Sequence, residues 1–442
     1  MIGLLTVLLV AATPVPAEVV AWPALVAEIE QTHPLMMAAH AGLERFEAAL
    51  QSARWRHSPV FDIEAGLGPQ PSVRQDAGKT IVDAERWGYY YRVGVRLEQP
   101  LYSFGKLAGL KLAAAHGVEV GQAHVEVARW ELRYRAARAY QGAVLSRELA
   151  GLLEEGARWI EKVQVRLEEM RKQDSERYDQ MAHLRLKSRL GHFAQMNLDN
   201  QGLHEEAHQA LRLLLSRPSE RSVRPIEEEV APTSLTLAPL ADYLAIADRQ
   251  RPALREARAD ATAKSALADS AEAAIWPDVL LMGEFSAVDS DVIEVPGAVP
   301  GDRPEGVAAG LLLGLRWRLD IPQAIAQGRA VRAHAEQLAQ RARSARATME
   351  AEVRRLHSRL TRQSSVLTAM NDAKVAARSW LSASWELYDS GFGDLRDVTD
   401  ALEQFWTTHV GHLRAVVAHN LLIVELSRAV GQDITATPQG AP

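Results

Sequence analysis

Four short stretches alternate apolar and polar residues with a period of two. In 60–67, Phe61, Ile63, Ala65 and Leu67 share one face against Asp62, Glu64 and Gly66. In 89–98, Tyr89, Tyr91, Val93, Val95 and Leu97 oppose Tyr90, Arg92, Gly94, Arg96 and Glu98. In 279–285, Val279, Leu281, Gly283 and Phe285 align. In 309–319, Ala309, Leu311, Leu313, Leu315, Trp317 and Leu319 align. This alternation predicts strands with one apolar face. The segments 69–86 and 288–306, each carrying prolines, read as loops of about twenty residues joining the strands in pairs. Helix dominates the rest. Residues 33–57 and 252–276 read as helices, as do two long stretches in 102–216 with a break near 171–178. Residues 322–388 form one proline-free helical pattern after Pro322, and a further helix runs from about 394 to Gly431. The apolar faces of the long helices are thin. Alanine recurs at 324, 326, 330, 333, 335, 339, 342, 345 and 347. Such a helix fits a wall with neighbours on both sides, or an antiparallel coiled coil.

The pattern occurs twice. Pro34 and Pro59 are spaced like Pro252 and Pro277, and Arg96-Leu97-Glu98-Gln99-Pro100 is echoed by Arg318-Leu319-Asp320-Ile321-Pro322. A repeat of roughly 220 residues exceeds any solenoid unit and reads as a duplicated half-molecule. The expected organisation is a first repeat over 18–216, a proline-rich linker over 217–250, a second repeat over 251–431, and an aperiodic, disordered tail over 432–442. The two repeats carry the helical hairpins 102–216 and 322–431.

Composition narrows the function. The chain has 442 residues, an apolar fraction of 47% and a net charge of −6. It lacks the basic footprint of a nucleic-acid binder. Cysteine is absent, which removes disulfides, thiolate metal sites and cysteine nucleophiles. Residues 1–17 hold an apolar run, Ile2–Ala12, and a small-residue site at Val15-Pro16-Ala17, which read as a secretory signal peptide. No later window reaches the eighteen apolar residues of a transmembrane helix. An exported chain can still enter a membrane as a closed β-barrel. Four strands cannot close one alone, since the smallest such barrels have eight, so several chains would have to build it together.

The order of these pieces resembles the TolC family of outer-membrane efflux channels. The resemblance rests on the duplication, on the helix-to-strand junctions Ser58-Pro59 and Trp276-Pro277, and on Gln99-Pro-Leu-Tyr-Ser-Phe-Gly-Lys106. It rests also on Tyr388-Asp-Ser-Gly391-Phe-Gly-Asp-Leu-Arg-Asp397-Val-Thr-Asp400-Ala401 and on Leu426-Ser-Arg-Ala-Val-Gly431. It implies a mainly α fold with a β-barrel part. Long helical hairpins would form a trimeric α-barrel, and four strands per protomer would contribute to a twelve-stranded transmembrane barrel. It further implies a homotrimer in the outer membrane of a Gram-negative bacterium, with a periplasmic extension. This would serve as a passive exit duct for an inner-membrane transporter coupled through a periplasmic adaptor, with no cofactor. A soluble periplasmic coiled-coil adaptor or scaffold is the alternative. It would show one helical hairpin and Gly-rich lipoyl-like halves.

The resemblance also assigns a pore constriction, on Tyr388, Gly391, Asp397 and Asp400. Asp397 and Asp400 are three residues apart and so share a helix face. Three copies would ring an axis with carboxylates. Acidic residues also suit a first helical turn, and Asp394 reads as an N-cap. The first-repeat counterpart is Glu176 or Asp179. Position 393, basic in some family members, is glycine here. Catalytic signatures are missing. There is no phosphate loop, no Gly-x-Ser-x-Gly and no His-Glu-x-x-His, and His409 and His412 share a helix face as ordinary solvated surface, with no metal site expected.

Overall fold

The structure is a computed structural model. It describes residues 18–76, 79–173, 180–216, 223–294 and 306–435, so the signal segment 1–17 lies outside the described residues. The first repeat opens with β1 (Glu18–Val20), α1 (Trp22–Thr32) and α2 (Pro34–Trp55). The second opens with β4 (Val223–Pro225), α5 (Leu240–Gln250) and α6 (Pro252–Glu272). The duplication therefore begins one helix earlier than the sequence pattern shows. Both helix pairs join in the same way. His33 (φ −70°, ψ 132°) and Arg251 (φ −58°, ψ 117°) both leave the helical conformation, and their N–H groups bond the Ile29 and Ala247 carbonyls at 3.1 Å. A residue before proline avoids the helical region, while proline itself suits a first helical position, so the chain turns where Pro34 and Pro252 begin the next helix.

The segment expected as a linker is ordered where it is described. β4 pairs in parallel with β1, and α5 buries Tyr243 and Ala247, one turn apart. The tail begins similarly. Ile434 packs beside the buried cluster of Tyr243, Leu254, Val353, Leu426 and Val430, and its N–H reaches Ser427 Oγ at 3.3 Å. Residues 436–442 lie outside the described residues.

The strands are longer than their alternating cores. They are β2 (Val60–Asp76), β3 (Lys79–Tyr102), β5 (Asp278–Ser290), β6 (Ile293–Glu294) and β7 (Gly306–Arg316), in the sheet order β6-β2-β3-β5-β7. The expected loop over 69–86 is instead a hairpin whose register runs to Asp76↔Lys79. Pro69 and Pro71 are accommodated because β2 has β3 on only one side over this stretch, and the register shifts between Pro71 and Ser72. Edge strands and bulges are where proline is tolerated. At the other end β7 stops at Arg316, short of the expected 319. Trp317 leaves the sheet, and its indole donates to the Ile275 carbonyl at 3.0 Å.

Registry sorts the side chains. Residues directly opposite one another share a face. The chain of pairs Phe61↔Leu97↔Gly283↔Leu311, Ile63↔Val95↔Phe285↔Ala309 and Ala65↔Val93↔Ala287↔Val307 therefore lies on one side. Leu67, Leu281, Leu313, Val279 and Leu315 extend it. Phe61, Ile63, Leu67, Leu311, Leu313 and Leu315 are each at least 60% exposed. The other side carries Asp62↔Arg96↔Glu284 in one row, with Glu64, Arg92 and Glu98 nearby. Arg316 forms an ion pair with Glu98.

Each repeat continues into a helical hairpin: α3 (Lys106–Lys172) with α4 (Gln180–Leu214), and α7 (Ile321–Asp389) with α8 (Leu395–Val430). The motif ending at Lys106 makes the turn from β3 into α3. Phe104 and Gly105 adopt positive φ (51° and 99°), and Ser103 Oγ accepts from the Leu107 N–H at 3.2 Å. Lys106 Nζ then reaches the Trp276 carbonyl and Asp278, both at 2.8 Å, tying the two repeats' strand junctions together. The described chain divides into two compact units. One comprises the chain up to Ala41, Gln122–Arg255 and Ser344 onward. The other comprises Gly42–Gly121 and Glu256–Arg343 and holds the sheet. Each sequence repeat thus contributes to both units.

Candidate pore-constriction site

The turn between α7 and α8 is built by glycine. The Phe392 N–H bonds the Leu387 carbonyl at 2.9 Å and the Gly391 N–H bonds Tyr388 at 3.1 Å, with Gly391 at φ 93°. This pair of bonds is the Schellman ending of a helix, which needs a left-handed residue. Gly393 follows with its N–H on Leu387 O at 2.8 Å. A Cβ there would lie 2.7 Å from Tyr388 N and 2.9 Å from Leu387 C. Glycine at 393 is therefore a packing requirement of this turn. Phe392 is 89% exposed and makes none of the apolar contact that often accompanies such an ending.

Asp394 starts α8 as its N-cap. It is extended, and its Oδ1 accepts from the Arg396 N–H at 3.0 Å. Leu395, Val398, Thr399, Leu402 and Phe405 then form the buried stripe of α8. That periodicity turns Asp397, Asp400 and Glu403 onto the opposite, open stripe. Asp397 is exposed, while Asp400 is partly covered and lies 3.7 Å from Arg396 Nε. Glu403 was not foreseen, although its spacing from Asp400 is again three.

Tyr388 has another role than its neighbours in the motif. It is buried among Val163, Leu167 and Met170 of α3, Leu186 of α4, and Leu395 and Val398 of α8. Its hydroxyl donates to Met170 Sδ at 3.4 Å, and Trp385 stands beside it while packing edge-on against Trp159. Tyr388 and Gly391 thus set the position of the acidic stripe from behind. The first-repeat candidates Glu176 and Asp179 lie outside the described residues.

Farther along α8, His409 and His412 are not simple solvated surface. His409 packs edge-on against Phe405. Its pKa is pushed down to about 4, by burial first and then by Lys374, His412 and Arg378. Burial and Lys374 also lower His412. Among the described residues no group of three or more His, Cys, Asp or Glu is placed to hold a metal, and no helix is long and apolar enough to cross a membrane.

Residues 244–418 match the family model described as outer membrane efflux protein. No curated protein matches the sequence. Solved structures share the fold. The outer-membrane channel OprN superposes with a TM-score of 0.76 at 17% identity, covering 94% of this chain and 90% of its own. CusC, whose structures concern folding and transmembrane channel formation, gives 0.76 at 15% identity, covering 95% and 97%. The CmeC outer membrane channel of Campylobacter jejuni gives 0.75 at 15%, covering 93% and 86%.

Proposed function

We propose that the chain, whose residues 244–418 match the family model described as outer membrane efflux protein, is a trimeric exit duct of a Gram-negative outer membrane. The observation that carries this reading is the mainly apolar face that spans β2, β3, β5 and β7, exposed at Phe61, Ile63, Leu67, Leu311, Leu313 and Leu315 and backed by a charged face. In water such a face would be an aggregation liability. In a barrel wall it meets lipid while the charged side meets a water-filled lumen. Three copies supply twelve strands, and closure removes the open edges of β2 and β7.

The duct is passive. Substrates move under the action of an inner-membrane transporter, and a periplasmic adaptor joins the two. At the periplasmic end Asp397 and Asp400, with Glu403 behind them, present carboxylates from each copy to a common axis. Such a ring concentrates cations and repels anions. Tyr388 and Gly391 hold the helix start at the angle that aims this stripe.

Extraction and migration test the assignment. The protein should leave membranes only with detergent and run as a trimer that heating converts to monomer. Release by salt or alkali as a monomer would instead support a soluble periplasmic adaptor.

A further inference from the structure

Away from the constriction, α4 carries His204 and His208 one helical turn apart, with ring centres separated by 4.2 Å. Both Nδ1 atoms are already committed. His208 Nδ1 lies 2.6 Å from the Val223 carbonyl oxygen. That oxygen can only accept, so Nδ1 carries the proton. His204 Nδ1 lies 3.2 Å from Ser146 Oγ, and this hydroxyl gives its proton to the Ala143 carbonyl at 3.0 Å. Ser146 therefore accepts from His204, whose Nδ1 is protonated too. In each neutral ring the lone pair is then left on Nε2. Anchoring one ring nitrogen to a carbonyl or hydroxyl is the arrangement that orients histidine toward a metal.

We propose that His204 and His208 form a two-histidine chelate for a late first-row divalent cation, Cu²⁺ above Ni²⁺ and Zn²⁺. Imidazole nitrogen favours these ions over Mg²⁺ or Ca²⁺, and their order follows the general stability series. Two rings bound about 2.0–2.1 Å from one ion in adjacent positions have centres roughly 4–5 Å apart, as here. Both rings line one open cavity of about 710 Å³ together with Arg147, Glu205, Gln209 and Arg212. Among the described residues no third His, Cys, Asp or Glu completes a cluster, so water or a dissolved anion fills the remaining positions. The nearby arginines favour an anionic co-ligand. Arg147 itself is turned to the Glu227 and Pro225 carbonyls, at 3.0 and 3.2 Å. A bound ion would fasten α4, through the two anchored rings, to Ser146 of α3 and Val223 of β4.

Untagged, detergent-solubilised protein titrated with Cu²⁺ alone tests this, read by calorimetry and by the nitrogen couplings in electron paramagnetic resonance. One Cu²⁺ per chain should bind through two imidazoles, and excess Mg²⁺ should not displace it. His204→Gln and His208→Gln should each weaken that site at least tenfold. Ser146→Ala should weaken it less, by freeing the His204 tautomer. His204 is exposed, so H204Q carries the test even where H208Q disturbs folding. Unchanged stoichiometry and affinity in H204Q, or a signal lacking two imidazole nitrogens, would overturn the proposal.

Discussion

Single residues decide the turn that carries the acidic stripe. Gly391 occupies a left-handed conformation, and Gly393 has no room for a Cβ. Gly391→Ala should cost about 1–2 kcal/mol through backbone strain. Gly393→Ala should cost about 1–3 kcal/mol because backbone must move. Both should raise proteolytic cleavage near 390 and lower the melting temperature; a neutral Gly393→Ala would contradict the close approach. His409 makes a pH prediction. Its pKa is near 6.5 unfolded and about 4 folded, so below 6.5 the unfolded chain binds a proton that the folded chain refuses. Stability present above pH 6.5 is therefore lost as pH falls toward 4. The groups facing it are Lys374 and Arg378 from α7 and His412 from α8, with Glu155 of α3 3.8 Å from Arg378. His409→Gln should move the acid-unfolding midpoint to lower pH, and an unmoved midpoint would show that His409 is not the group responsible. The Asp394 cap and the shared helix face of Asp397 and Asp400 were legible in the sequence because caps and helical faces are local; the left-handed turn at Gly391 was not read there. The burial of Tyr388 and the cations around His409 were not, because other helices create both environments.

Among elements, the strands show how far alternation reaches. Period two located the four long strands β2, β3, β5 and β7 and the apolar side of each. It missed 69–76 and 79–88, where prolines and mixed polarity hide a hairpin that backbone pairing sustains. It also carried β7 past Arg316, since Trp317 and Leu319 keep the rhythm after the ladder has ended. The short helices α1 and α5 were missed because each offers barely two buried positions, Leu25 and Ile29 or Tyr243 and Ala247. Register now gives a sharp expectation. Leu313 lies on the apolar face with Leu281, while Leu312 pairs with Met282 on the charged side. Leu313→Arg at mid-membrane should cost about 2–4 kcal/mol and deplete assembled trimer. Leu312→Arg should assemble normally. The reverse outcome in a heat-modifiable gel would invert the two faces.

At the scale of the whole molecule, the duplication was read from the sequence alone, by comparison of the chain with itself. The division into two units was not, because each repeat feeds both of them through its helices. Export, and contact with lipid through the strands of the proposed duct, make the mature N-terminus a further test. Mass spectrometry of the exported protein should accordingly find a free amine near Glu18, and retention of residues 1–17 would refute their reading as a signal peptide. The central claim is a membrane channel whose periplasmic end is an acidic constriction, and single-channel recording in planar bilayers tests it most directly. Purified protein should insert and conduct with cation preference and be blocked by multivalent cations. Asp397→Ala/Asp400→Ala should still assemble and conduct, but with weaker cation selectivity and without that block. A double variant that conducts and is blocked like the parent would confine these carboxylates to helix capping, and failure of the parent to conduct at all would contradict the account.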